Sequence, residues 1–301
     1  MEDVRQDRVL LEAVSVLPAG LRQVVLEEGT GERVEELRLR MGYPAALVVD
    51  GTEQALPTPP VTGEELEYLL DRASGSSMHL ALDQLRRGYL TIPGGHRIGF
   101  CGRAVMEGGE LVNLRPLSSA CLRVARERPG IAGAVLPRIC PGGRLTDTLI
   151  LAPPGLGKTT LLRDVIRACS MGEGCAPLRV ALADERGEVA AVYEGVPQLD
   201  VGPRTDVLEG CPKGMALSML LRAMAPQVLA VDEITEGQDL EAMSAAVGCG
   251  VTLLATAHGR GMEDLEARPI YRRMLELRLF RRVVYIGRSR TGRKYQVEEL
   301  E

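Results

Sequence analysis

The chain has 301 residues, of which 45% are hydrophobic and 26% charged, a composition typical of a globular protein with room for two domains. With no Trp and only two Phe, its core must be mostly aliphatic. The net charge of −5 argues against general attraction to nucleic acid or anionic lipid. Seven cysteines without a C-x-x-C pair indicate neither a zinc site nor a redox dithiol, and we expect a reducing cytosol. No stretch approaches the roughly 18 apolar residues of a membrane span.

The first part of the chain, residues 1–135, predicts a small α+β domain. Apolar residues recur at helical spacing in DRVLLEAVSVL and again after Pro18, whereas VEELRLRMG and AALVVDG predict two strands. Thr62 and Glu65 have the spacing of a capping box, which predicts a helix over EELEYLLDRA. After a second short helix, the segments GYLTIPGGHRIGFCGRAVMEGGELVNL and LSSACLRVARERPG predict further strands.

The pattern changes after residues 136–144, where LPRICPGGR combines two Pro with a Gly-Gly pair and predicts a hinge. Over 145–301, strand, glycine loop and helix alternate, which predicts an α/β domain with a largely parallel central sheet. Its strands are near-continuous apolar runs, as expected for strands covered on both faces, namely TDTLILA, RVALADE, QVLAVDE and VTLLATAH.

A phosphate-binding loop follows the first of these strands. The segment 152–159, APPGLGKT, fits G-x-x-x-x-G-K-[ST] except that Ala152 replaces the first glycine. Glycine is needed only where φ is positive or a ligand approaches closely, so we expect the loop to tolerate Ala152. Lys158 would reach the β and γ phosphates of a nucleotide, and Thr159 would coordinate Mg²⁺. The predicted nucleotide-binding residues are Pro154, Gly155, Leu156, Gly157, Lys158, Thr159 and Thr160.

Acidic side chains follow two further strands. Asp232, at the end of QVLAVDE, is predicted to help bind Mg²⁺, and Glu233 to act as general base on the attacking water. Glu188 lies in the acidic segment ADERGEVAAVY. This segment either tunes the metal or the water, since strand ends line the ligand crevice of a parallel sheet, or forms surface salt bridges.

Two basic side chains complete the predicted catalytic set. His258 ends the strand VTLLATAH, where a polar group can sense the γ-phosphate, although a structural histidine is the alternative. Arg222 precedes the strand that ends at Asp232. It is predicted either to respond to the state of the nucleotide or to be a surface arginine of a helix.

Taken together and in this order, the motifs resemble those of the secretion ATPases that power type II and type IV secretion and pilus assembly. The chain resembles the stage III sporulation protein AA family of endospore formers more closely still. One departure besides Ala152 is Thr235-Glu236, where Gly-Arg is expected. The segments that show the resemblance are EELRLRMGYP (35–44), GYLTIPGGHRIGFCGR (88–103), PPGLGKTTLLRD (153–164), ADERGEVAA (183–191), DVLEGCPKGMALSMLLRAMAP (206–226), VLAVDEI (228–234) and ATAHG (255–259).

The resemblance implies a RecA-like P-loop ATPase that uses ATP and Mg²⁺, forms a hexamer and works with a membrane protein of a secretion-like complex. It implies a cytoplasmic location, peripheral to the membrane on the mother-cell side, and a role in assembly or transport between mother cell and forespore. Ring ATPases often borrow an arginine from a neighbouring subunit. Candidates in the N-terminal domain are Arg97, Arg103, Arg115, Arg123 and Arg126, with Arg97 and Arg103 leading.

Two other functions stay open at this point. A nucleotide-gated scaffold would bind ATP and assemble with little hydrolysis, although the presence of Glu233 argues against it. A DNA-handling ATPase of the AAA+ kind is disfavoured by the acidic composition and by the lack of a basic and aromatic stacking pattern. No nucleic acid is therefore expected as a partner.

Overall fold

A computed structural model describes residues 8–29, 34–75, 82, 84–86, 88–289 and 292–300 of the chain. The chain forms two compact units, one of residues 1–126 with 191–198 and the other of residues 127–190 with 199–301. Residues 127–144, which the sequence analysis divides between a first domain and a hinge, belong to the second unit. That the units are separate domains with the predicted boundaries stays a prediction.

The first unit contains an antiparallel sheet with the strand order β3-β2-β1-β6-β5-β4. Aliphatic side chains from the sheet and helices form its core, together with the aromatic ring of Phe100. The strands are β1 (Val34–Arg40), β2 (Ala46–Val49), β3 (Thr52–Ala55), β4 (Leu90–Thr91), β5 (Arg97–Glu107) and β6 (Glu110–Arg123), and the helices are α1 (Arg8–Ala13), α2 (Ala19–Glu28) and α3 (Gly63–Ala73).

Local sequence signals account for two features of this unit. The capping box is confirmed at the start of α3, where the Thr62 hydroxyl accepts the N–H of Glu65 and the Glu65 carboxylate accepts the N–H of Thr62. Gly108 and Gly109, both with positive φ, join β5 to β6. The structure differs from the prediction at β6, because ELVNL and LSSACLR lie on this single strand. The register with β5 shifts next to Pro116, and Gly102 of β5 has no Cβ that would collide with the Pro116 carbonyl.

The second unit contains the predicted α/β sheet, with the strand order β11-β8-β12-β13-β7-β14-β15. Its strands are parallel except for β15, which pairs antiparallel with β14. The strands are β7 (Thr148–Ala152), β8 (Val180–Asp184), β11 (Thr205–Glu209), β12 (Val228–Val231), β13 (Thr252–His258), β14 (Arg282–Ser289) and β15 (Gly292–Glu299), and the helices are α4 (Leu136–Ile139), α5 (Lys158–Met171), α6 (Lys213–Met224), α7 (Gly237–Gly248), α8 (Met262–Ala267) and α9 (Pro269–Glu276).

The four predicted apolar strands, β7, β8, β12 and β13, are adjacent at the centre of this sheet and almost entirely buried. Parallel strands end at one edge, so the segments that follow these strands meet there, at what we call the carboxyl edge. Gly172, left-handed with φ 86°, ends α5. In the described ranges, no helix combines the length and the apolar composition needed to cross a membrane.

Between β8 and β11 the chain makes an excursion, residues 191–198, that belongs to the first unit. It contains the short strands β9 (Val192–Tyr193) and β10 (Val196–Pro197), which pair antiparallel. The N–H of Leu199 donates to the carbonyl of Ala190 at 3.1 Å, which closes the base of the excursion. Within the first unit, the Gln198 side chain accepts the N–H of Gly94 at 2.9 Å.

Candidate nucleotide site

The predicted phosphate loop lies between β7 and α5, at the carboxyl edge. Gly155 and Gly157 have φ of 75° and 89°, a region that favours glycine, and Gly157 is the residue immediately before α5. Ala152, in contrast, is a buried residue of β7 and pairs in register with His258. Its backbone is ordinary strand, which explains why the first position of the motif accepts a side chain.

Lys158 is the first residue of α5, and its side chain is buried with 7% of its surface exposed. Its ammonium donates to the carbonyls of Ala152 at 3.1 Å and Pro153 at 3.4 Å, and lies 2.8 Å from Nδ1 of His258. Burial lowers the pKa of Lys158, while the nearby carboxylates of Glu233, Asp232 and Glu188 act in the opposite direction. The loop thus holds a cation within a group of acids.

His258 connects Lys158 to the predicted base. Its Nε2 lies 2.9 Å from Oε1 of Glu233, on the side of the ring opposite Lys158. An ammonium has no acceptor, so Nδ1 accepts from Lys158 and the ring proton sits on Nε2, where it donates to Glu233. The three side chains form a continuous hydrogen-bonded row, which we call the Lys–His–Glu row.

Asp232 follows β12 and receives two hydroxyl donors. Thr159 donates to it at 3.1 Å and Thr256 at 3.0 Å. The pKa of Asp232 is raised to about 6, first by burial and then by the charges of Asp184 and Glu188, while the hydrogen bonds from Thr256 and Thr159 act in the opposite direction. The pair predicted to hold a metal is therefore assembled, in an environment of excess negative charge.

The acidic segment after β8 divides into two kinds of residue. Asp184 is buried and accepts the N–H groups of Glu188, Val189 and Ala190 at 2.8 to 3.0 Å, so it holds the turn that follows. The backbone carbonyl of Glu188 accepts from Arg163 of α5 at 2.7 Å. The loop is thus fixed to the phosphate-loop helix, and the Glu188 carboxylate acts on Lys158 and Asp232 through its charge.

Arg222 lies elsewhere. It is an exposed residue near the end of α6, a helix that ends four residues before β12 begins, whereas Asp232 follows the end of β12. Arg222 is therefore at the opposite end of the strand from the Asp232 carboxylate. Its role stays a prediction, and its position restricts that role to contacts other than with the phosphate loop of its own chain.

The candidate trans-acting arginines lie in the first unit, where most have local partners. Arg97 stacks on Tyr89 with its guanidinium 4.3 Å from the ring centre, and Arg123 pairs with Glu36 at 3.2 Å. Arg126 donates to a backbone carbonyl of β1 at 3.5 Å. Arg103 and Arg115 are exposed. None of these contacts tests a role in a neighbouring subunit.

Arg293 belongs to the site and was missed by sequence reasoning. It lies on β15 beside β14, and a Cβ placed on Gly157 would be 2.7 to 2.9 Å from its guanidinium atoms. In the part of the chain that the structure describes, no carboxylate forms an ion pair with Arg293. The available sequence signal was the basic run GRSRTGRK at a hairpin, which does not show that the hairpin lies next to the phosphate loop.

The sequence of the chain is similar to that of known proteins. The family described as "Sporulation stage III, protein AA" matches residues 6–297. Stage III sporulation protein AA of Bacillus subtilis is 38% identical over 282 residues, which cover 93% of this chain and 91% of that protein.

Solved structures of ATPases share the fold. The Legionella pneumophila ATPase DotB superposes with a TM-score of 0.61 at 14% identity, covering 94% of this chain and 80% of that one. The pilus retraction motor PilT, solved with bound ADP, gives 0.60 at 14% identity, covering 93% and 82%. These neighbours confirm the predicted RecA-like α/β fold with a preceding α+β part. Because both the family match and the Bacillus relative extend over nearly its whole length, the chain belongs to the stage III sporulation protein AA family.

Proposed function

We propose that the chain binds ATP with Mg²⁺ at the carboxyl edge of the second sheet and hydrolyses it. The observation that carries the proposal is the Lys–His–Glu row beside the Thr159–Asp232 pair. A cation for phosphates, an oxygen pair for a metal and a carboxylate base are the parts that phosphoryl transfer to water requires. The fold shared with DotB and PilT supports the same reaction class.

The residues present fit Mg²⁺. Mg²⁺ prefers oxygen ligands, and the Thr159 hydroxyl and the Asp232 carboxylate lie 3.1 Å apart. The raised pKa of Asp232 reflects burial among other acids, a cost that a divalent cation would relieve. When bound, Mg²⁺ supplies charge neutralisation of the phosphates. Thr159 and Asp232 would hold it.

Phosphate binding is supported by three sources of positive potential around Gly157. They are the start of α5, the ammonium of Lys158 and the guanidinium of Arg293. These three positive groups repel one another, and an anion bound between them is stabilised by each. We therefore include Arg293 among the phosphate-binding residues, together with the loop residues 154–160.

Glu233 is proposed as the base that takes the proton from the attacking water. His258 orients its carboxylate through Nε2 and contacts Lys158 through Nδ1. A phosphate oxygen near Lys158 competes with His258 for the ammonium protons. Phosphate contact and the orientation of Glu233 are thus coupled through one imidazole ring.

At a larger scale, we propose that hydrolysis drives assembly or transport by a secretion-like complex between mother cell and forespore. Membership in the sporulation family and the fold shared with a pilus retraction motor support this setting. The proposal includes a hexameric ring, a cytoplasmic place beside the membrane and a membrane-protein partner, as in the resemblance described above.

The test is ATP turnover by the purified chain. Lys158→Ala removes the phosphate cation, and Glu233→Gln removes the base; each should lower turnover at least about 100-fold, the usual effect of losing such a group. Glu241→Gln, an exposed acid on α7, is the matched control and should keep parental turnover. Parental turnover in both site variants would contradict the proposed roles. Nucleotide-dependent assembly without turnover in the parent, also with the membrane partner present, would establish the scaffold function instead.

A further inference from the structure

Three cysteines from three segments of the chain meet in the second unit, away from the residues of the nucleotide site. Cys140 directly follows α4, Cys169 lies in the last turn of α5, and Cys175 lies six residues further along the chain. Their Sγ atoms all lie within 4.8 Å of one another. Cys140 and Cys169 are buried and Cys175 is half-buried. We call this group the thiol cluster.

Backbone hydrogen bonds bring the three segments together. Gly172 turns the chain back after α5, and the N–H of Leu178 then donates to the carbonyl of Cys169 at 2.9 Å. The N–H of Ala176 donates to the carbonyl of Gly143, in the turn that follows Cys140, at 3.3 Å. The positions of the thiols are therefore fixed by main-chain contacts of all three segments, as a preformed site requires.

The sulfur separations are close to those of a metal thiolate site. With Zn–S bonds of about 2.3 Å, two sulfurs in a tetrahedral site are roughly 3.8 Å apart, so each pair needs to close by about 1 Å or less. Among the residues that the structure describes, no carboxylate or imidazole joins the group. An all-sulfur ligand set selects thiophilic ions over Mg²⁺ or Ca²⁺.

The thiols also interact before any ion binds. Cys169 hydrogen-bonds to Cys140, which lowers the pKa of Cys140 and raises that of Cys169. Burial raises the pKa of Cys175. These contacts favour ionisation of Cys140 before that of the other two thiols, and metal binding displaces the protons that remain.

We propose that Cys140, Cys169 and Cys175 bind one thiophilic metal ion, Zn²⁺ or Cu(I), through three thiolates. Three S–metal bonds form, and every thiol still protonated releases its proton to solvent, so affinity rises with pH. Cu(I) is satisfied by three sulfurs, whereas Zn²⁺ takes water as a fourth ligand on the half-buried side of Cys175. The ion would tie the end of α5 to the turn after α4. The proposal is independent of the proposed ATPase function.

Metal titration of the reduced full-length chain tests the site. Co²⁺ replaces Zn²⁺ as a spectroscopic probe in one arm, and Cu(I) is added without oxygen in the other. We expect saturation at one ion per chain with thiolate-to-metal charge-transfer absorption, and a rise in Tm with the ion. Cys175→Ser should lose the absorption and the rise in Tm, whereas Cys249→Ser, at an exposed cysteine, should keep both.

Alkylation measured by mass spectrometry provides a second readout, which does not need a variant to fold. The bound ion should slow labelling of the three cluster cysteines and leave the exposed Cys101 and Cys249 unaffected. Failure of both ions to saturate the folded chain, or equal binding by Cys175→Ser, would overturn the proposal. A disulfide between two cluster cysteines in place of the ion, in protein purified without reductant, would overturn it as well.

Discussion

Glu233 is held in a left-handed backbone conformation, with φ 55°, which costs a residue with a side chain roughly 1–2 kcal/mol. Thr256 compensates, since its hydroxyl accepts the N–H of Glu233 at 2.9 Å and its carbonyl accepts the N–H of Ile234 at 3.0 Å. The same hydroxyl donates to Asp232. One buried threonine therefore holds the Asp232 carboxylate and the backbone of Glu233, whose carboxylate contacts His258.

Asp232 gives a prediction about pH. Its pKa of about 6 in the folded chain is above the value of about 3.9 for an unfolded aspartate, so folding favours its protonated form. The contribution of this group to the free energy of unfolding is fully present below about pH 4. It is lost as the pH rises through about 6, and the loss amounts to at most about 3 kcal/mol. Metal binding has the opposite dependence, because it needs the carboxylate.

We therefore expect the Mg²⁺-dependent affinity for ADP to rise as the pH passes through about 6. Asp232→Asn should bind Mg-ADP weakly both below and above this pH. Its free energy of unfolding should also lack the decrease that Asp232 causes as the pH rises through about 6. Calorimetric titration and urea unfolding at matched pH values measure the two quantities. A parental affinity that stays level from pH 5 to pH 7, roughly one unit either side of the transition, would contradict the assignment of Asp232 to the metal.

Those residues of this site that belong to motifs with a fixed local spacing could be predicted from the sequence. The phosphate loop, Asp232 and Glu233 each follow an apolar strand, and parallel strands necessarily bring such ends to one edge. Arg222 lies at the other end of β12 because a helix that precedes a strand ends at the opposite edge, and its response to the nucleotide stays a prediction. The thiol cluster could not be predicted, since Cys140 and Cys169 meet only through tertiary packing.

At the scale of elements, the hairpin β14–β15 bears on the phosphate loop. Because β14 pairs with β7 in parallel, the last residue of β14 and the first residue of β15 lie at the carboxyl edge, and Arg293 comes next to Gly157. A charge-assisted contact from Arg293 to a phosphate should contribute roughly 1.5–3 kcal/mol. Arg293→Ala should therefore weaken ADP binding by about 10-fold or more, measured with a fluorescent ADP analogue.

Lys294→Ala is the matched control, since successive side chains of a strand point to opposite faces. Lys294→Ala removes the same charge as Arg293→Ala and should keep the parental affinity for ADP. Arg293→Lys should recover part of the affinity that Arg293→Ala loses. Equal dissociation constants for Arg293→Ala and the parent, with unchanged Tm, would exclude Arg293 from phosphate binding.

The elements most visible in the sequence are those whose residues are buried on both faces. The runs that became β7, β8, β12 and β13 are nearly all apolar. The strand β11 is half-exposed, and β15 is the largely exposed edge strand of its sheet. A partly polar strand at a sheet edge has little apolar pattern, which is why neither was predicted.

At the scale of the whole molecule, an arginine of the first unit would act in catalysis most simply at the nucleotide site of a neighbouring chain in a ring. Arg103 is exposed, and its side chain has no hydrogen bond or ion pair to the described residues. If Arg103 acts in a neighbouring subunit, Arg103→Ala and Glu233→Gln chains, each inactive alone, should complement when mixed. Random mixing in equal amounts completes about one site in four, so turnover should return to about a quarter of the parent's.

The control mixture contains Lys158→Ala and Glu233→Gln chains. Both residues belong to the Lys–His–Glu row of a single chain, so this mixture should stay inactive. Absence of recovery with an active Arg103→Ala protein would remove Arg103 from the reaction. Turnover by a chain shown to be monomeric in solution would remove the need for a ring.

The excursion 191–198 has a mechanical consequence. On one side of the Ala190–Ala191 peptide, the backbone is anchored by the Asp184 carboxylate next to the nucleotide-site acids; on the other, it belongs to the first unit. Three peptide bonds of the chain join the two units, and this one directly follows the turn that contains Glu188, so a force on the excursion reaches that turn along the backbone. A fragment of residues 127–301 would lack Gly94, the hydrogen-bond partner of Gln198 in the first unit. The excursion would then lose this attachment.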